Sequence, residues 1–152
     1  MRALLPTTLT ALAAAATLAA CGGDETLSAT EYRAEAKTIC EQADTATEAV
    51  QTPTKPTAEA ISTYFRSLLE PNERATSQFG ELAPPEELKA AHDEILQVNR
   101  AGATVVRGVI RDVDAGKDPV TVLQSATTEL RTLNSRAQAA AGKLGVPACA
   151  DE

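Results

Sequence analysis

From residue 28 onward the apolar positions of this chain recur in steps of three and four, the spacing of helices that bury one face. Tyr32, Ala36, Ile39, Ala43, Ala46 and Val50 form the first such row. Ser28-Ala29-Thr30-Glu31 in front of it has the layout of a capping box, with Leu27 and Tyr32 placed as a hydrophobic staple. The proline-threonine run from Gln51 to Pro56 ends this helix. Thr57 caps a second, whose row is Ile61, Phe65, Leu68, Ala75, Phe79 and Leu82. Pro71 falls inside it and removes a backbone hydrogen bond. The row stays in phase across the proline if Asn72 fills the missing position, so one helix kinked at Pro71, or two short ones nearly in line, is expected.

Pro84-Pro85-Glu86-Glu87 opens a third helix, with acids at the positive end of its dipole. Its row is Leu88, Ala91, Ile95, Val98, Gly102, Val105 and Val109, widened by Leu96, Val106 and Ile110, and Gly116 stops it. Asp118 and Pro119 then serve as N-cap and first residue of a fourth helix carrying Leu123, Ala126, Leu130, Leu133, Ala137, Ala140 and Leu144, ended by Gly145 and Pro147. Short connections make successive helices antiparallel. The pattern therefore predicts an all-α fold, an up-down-up-down four-helix bundle over residues 28–149, with a short tail at 150–152.

Composition agrees and narrows the chemistry. The 152 residues hold no Trp, two Tyr, two Phe and one His, so the core has few bulky groups and every mechanism needing two imidazoles is removed. Fourteen Lys and Arg against 21 Asp and Glu give a net charge of −7. Without a basic run this excludes a nucleic-acid footprint, which needs clustered cations.

The N-terminus departs from the helical pattern. One charge, Arg2, precedes an apolar stretch from Leu9 to Ala20, the arrangement of a secretory signal peptide. At about a dozen residues the stretch is shorter than the roughly 20 that span a bilayer. It closes on Leu18-Ala19-Ala20-Cys21, which resembles the lipobox of bacterial lipoproteins. That resemblance implies a signal peptide over 1–20, cleavage before Cys21, a lipid on the Cys21 thiol, and a flexible tether over 21–27. Its implied partner is the membrane, reached through that lipid, with the domain on the extracytoplasmic face. An ordinary signal peptide that leaves Cys21 a plain thiol is the competing reading.

Once Cys21 is acylated, Cys40 and Cys149 are the remaining thiols, and exported chains sit in an oxidising space where such a pair forms a disulfide. A free or intermolecular pair is the alternative. In the bundle topology the C-terminus returns beside the first helix, where it can reach Cys40. The Ala36-Lys37-Thr38-Ile39-Cys40 and Gly145-Val146-Pro147-Ala148-Cys149 segments resemble small alanine-rich lipoproteins of high-GC Gram-positive bacteria, a likeness that brings no activity with it.

Four features are candidates for chemistry. His92-Asp93-Glu94 places an imidazole beside two acids, but successive helical side chains diverge by about 100°; an exposed or bundle-edge His92 is expected. Asp112 to Asp118 alternates oxygens like a calcium loop, yet positions six and twelve hold Lys117 and Leu123 instead of Gly and Glu. A helix stop followed by a helix cap explains the same residues. Arg100, Arg107 and Arg111 share one helix face and form a candidate surface for an acidic envelope protein, a wall polymer or lipid headgroups, against the plainer reading of a solvated face. Gly102 and Gly108 each cost a helix about 1 kcal/mol relative to Ala, which close helix packing explains, as does a cavity for an apolar ligand. No nucleophile elbow, P-loop or dinucleotide fingerprint is present. The sequence thus points to a non-catalytic binding or structural module of the envelope without a cofactor. A carrier or sensor of a small apolar ligand held between the helices is the alternative, and a metal-dependent hydrolase is a distant third.

Overall fold

A computed structural model describes residues 26–150. The expected signal peptide, Cys21 and residues 151–152 lie outside them. The described chain folds as four α-helices, α1 (Ala29–Glu48), α2 (Ala58–Gly80), α3 (Glu86–Asp114) and α4 (Pro119–Leu144), followed by a 3-10 turn at Pro147–Cys149. No described helix is long and apolar enough to cross a membrane.

The boundaries follow the caps. Ser28 and Glu31 form the reciprocal capping box, and Leu27 packs into the same core as Tyr32. Thr57 and Asp118 each accept a backbone N–H in the first turn of α2 and α4. Pro71 is carried inside α2, which runs through it as one helix. Pro85 takes the cap position of α3 without a side-chain bond, and Gly116 adopts a φ of +82° just past its end.

The end of α4 does more than stop a helix. Gly145, with φ +72°, lets its N–H reach the Gly142 carbonyl while the Val146 N–H reaches that of Ala141, the paired bonds of a Schellman cap. Val146 and Ala141 are both buried beneath the turn. The reversal sends Pro147–Cys149 toward α1, and the Arg33 Nε–H of α1 donates to the Leu144 carbonyl at 2.8 Å. Cys149 then meets Cys40 in a disulfide with S–S 2.02 Å and Cα–Cα 5.1 Å, across 109 residues of sequence. The expected pairing and the expected topology are both present.

Within the bundle α3 is the central helix and packs along α2 and α4, whereas α1 packs on α2 and on the 3-10 turn and makes little close backbone approach to α4. The core is divided accordingly. One cluster, at the end where α1 starts and α4 stops, gathers Tyr32, Ala36, Phe79, Leu88, Ile95 and Leu144 around the disulfide. The second, at the opposite end, is built by α2, α3 and α4 alone, from Ile61, Val109, Val113 and Ala126 with Phe65 and Leu123 against them. Buried Ser62 reinforces that end, donating to Asp114 at 2.6 Å and accepting from Arg66, which also pairs with Asp114. Both clusters, the disulfide and every cap described above lie within residues 26–150, so this segment carries its own fold.

Candidate functional site

Between the two clusters the bundle is hollow. At this level α3 presents Gly102 and Ala103, and α4 presents Thr127 and Ala137, side chains too small to fill the space between helix axes. A cleft of about 750 Å³ results, open on one side and bordered by the last turn of α1 at Asp44, Thr47 and Glu48. Phe65, Leu68 and Leu69 of α2, Val98 and Val106 of α3, and Leu130 and Leu133 of α4 make its apolar walls. The volume falls inside the range of about 300–1,000 Å³ typical of small-molecule sites.

Gly102 lines this cleft, and a Cβ built on it would meet nothing within 4 Å. At Gly108 a Cβ would find only the tip of Arg111, at 3.9 Å. Close helix packing therefore does not account for either glycine; at Gly102 the structure has the cavity that was the other expectation.

A second, smaller hollow of about 60 Å³ lies beside the disulfide. The two share Asp44, Asn72, Asn99, Asn134 and Ala137, so the wall between them carries one polar side chain from each of the four helices. Asp44 and Asn134 are already engaged within the chain.

His92 corrects the sequence reading. It is not at an exposed or edge position but 4% exposed, with its ring stacked on Phe79 at 5.0 Å between centroids and its Nδ1 hydrogen-bonded to the Tyr32 hydroxyl at 3.0 Å. Burial holds the imidazole below its ordinary pKa, against a smaller upward pull from Asp93. Burial also raises the Tyr32 phenol well above its usual range. The signal was available in the sequence: His92 stands four residues from both Leu88 and Leu96, on the flank assigned to the core. It does not line the cleft.

The acidic run at the α3–α4 junction is consumed by the chain itself. Asp112 bonds to Lys117 at 3.0 Å and Arg111 at 3.1 Å, and these partners hold its carboxyl below the usual range. Asp114 bonds to Ser62 and Arg66 with the same effect, and Asp118 caps α4. Of the arginine row, Arg107 pairs with Glu73 of α2 and Arg111 with Asp112. Arg100 is exposed and makes no ion pair among the described residues. Of the three, Arg107 alone ties α3 to another helix, and the other two stay on the surface of α3.

Among the described residues no group of three metal-ligating side chains converges. No protein-family model, curated protein or solved structure matches this chain.

Proposed function

We propose that this protein is a lipid-anchored, extracytoplasmic helical domain that acts without catalysis as a binding module of the cell envelope, carrying or sensing a small apolar ligand between its helices. The observation that supports binding over a purely structural role is the open cleft of about 750 Å³ with leucine, valine and phenylalanine walls. A bundle that served only as a spacer would gain stability by filling that volume, since each buried methylene is worth about 0.8 kcal/mol. His92, the one imidazole of the chain, is sequestered with Tyr32 and Phe79 away from the cleft, which fits binding better than acid-base chemistry. The anchor rests on the lipobox-like Leu18-Ala19-Ala20-Cys21 and on the charge balance. Without Arg2 of the signal peptide the body holds 13 basic and 21 acidic residues, a net charge of −8, and gains nothing electrostatically from an anionic surface, which fits attachment through a covalent lipid.

Two measurements test the two halves. Cells fed an alkyne-tagged fatty acid are expected to label the wild-type chain in the membrane fraction, and Cys21→Ser to lose both label and membrane association; a Cys21→Ser chain that keeps its label overturns the anchor. For the cleft, the segment 26–152 is expected to enhance the fluorescence of N-phenyl-1-naphthylamine saturably, at one dye per chain. Fluorescence no greater than that of free dye overturns the ligand-carrying role.

A further inference from the structure

We infer that the ligand is a single-chain amphiphile with an uncharged, hydrogen-bonding headgroup, its chain in the cleft and its headgroup on Asn72 and Asn99. This deepens the ligand-carrying role proposed above and rests on it. Three observations lead to the ligand's class.

The first is polarity along the cleft. Its walls are apolar at Phe65, Leu68, Val106 and Leu130, while the partition it shares with the smaller hollow is polar on all four helices. A wholly apolar ligand would have to strip water from those carboxamides without replacing the hydrogen bonds, at a cost of about 1–3 kcal/mol for each group left unpaired. An amphiphile replaces them.

The second is which polar groups can exchange water for a ligand. Asp44 and Asn134 are engaged within the chain. Asn72 and Asn99 are half-buried, and since no buried side-chain polar atom of the described residues lacks a partner, their carboxamides stay open to water. Each carboxamide can both donate and accept, which matches hydroxyl or amide functions. The charges bordering the cleft are Asp44, Glu48 and Arg131, a net excess of one negative charge in a chain of net charge −7. That field disfavours a carboxylate or phosphate headgroup. A quaternary ammonium carries no N–H or O–H to satisfy the carboxamide oxygens.

The third is volume. A methylene occupies close to the roughly 30 Å³ share of a water molecule, so about 750 Å³ accommodates about 25 heavy atoms. One chain of ordinary length with a glycerol-sized head fills that volume.

The experiment uses segment 26–152, which holds both cores and the disulfide, and three amphiphiles with the same twelve-carbon chain: monododecanoylglycerol, dodecanoate and dodecyltrimethylammonium. Each competes with N-phenyl-1-naphthylamine below its micellar concentration at pH 8. Monododecanoylglycerol is expected to displace the dye at least tenfold more tightly than either charged homologue, and Asn99→Leu to erase most of that preference while dye binding persists. Gly102→Leu fills open space at a helical position, so it is expected to abolish binding of dye and amphiphile while the thermal midpoint stays the same or rises. Equal displacement by all three, or a charged homologue binding tighter, overturns the headgroup assignment and leaves the apolar site standing. Dye that never binds overturns both. Full binding retained by a folded Gly102→Leu chain overturns the cleft as the site.

Discussion

His92 is held by two contacts of different kinds, a ring stacked on Phe79 and a hydrogen bond to Tyr32, and its burial makes folding pH-dependent. Because its pKa is lowered in the folded state, the unfolded chain binds the extra proton first as pH falls. Stability from this site is therefore complete above about pH 6.5, the ordinary histidine value, and is lost progressively as pH falls below it toward the lowered folded value. Glu31, Glu94, Asp112, Asp114 and Asp118 also have lowered values, each through a hydrogen bond that favours the carboxylate, so their stabilisation is lost at lower pH, beneath about 4.5. Urea midpoints measured across pH are expected to decline in two stages, and His92→Gln to remove the upper stage only; a single acid stage in the wild type contradicts the buried neutral imidazole. Tyr32→Phe is expected to cost about 1–3 kcal/mol, since it leaves the His92 Nδ1 buried without its partner. The neighbouring Asp93 and Glu94 suggest an exposed position for His92, which the structure does not give it. Its spacing from Leu88 and Leu96 carried the correct information.

At the scale of the element, helix ends were the most legible features, because a cap is a local arrangement of three or four residues and needs no knowledge of what lies across the bundle. Ser28, Thr57, Asp118 and Gly145 each occupy the position their chemistry demands. The stripes were less complete, since which flank of a row is buried depends on the neighbouring helix. Val113 and Ala103 of α3 are buried beyond the predicted row, whereas Val105 and Val106 within it are only half-buried, beside or along the cleft. Gly145 is the element with the most resting on it. A Cβ there would approach Arg33 Nε to 3.1 Å, on a backbone that L-residues adopt at a cost of about 1–2 kcal/mol. Gly145→Ala is accordingly expected to lower stability by about 1–2 kcal/mol in urea melts and to disturb the Arg33 bond to Leu144. Gly116→Ala, with a positive φ but open space around it, is expected to lose the backbone cost alone.

For the whole molecule, topology and staple were readable because chain order, short connections and the expected exported compartment constrain one another. The cleft was not, because an unfilled volume is a property of four helices at once and leaves in sequence only a cluster of small residues, open equally to tight packing. The disulfide closes a loop whose restriction in the unfolded chain is worth about 4–5 kcal/mol in the chain-entropy model. Replacing Cys40 and Cys149 together with Ala is expected to lower stability by about that amount, read as a reduced denaturant midpoint. The same bond makes the folded domain a covalent ring from residue 40 to residue 149 with two short ends outside it. A protease that cuts the exposed linker around Thr54 or the turn at Lys117 opens the ring without releasing either fragment, so the nicked molecule stays one particle until a reductant reaches the bond.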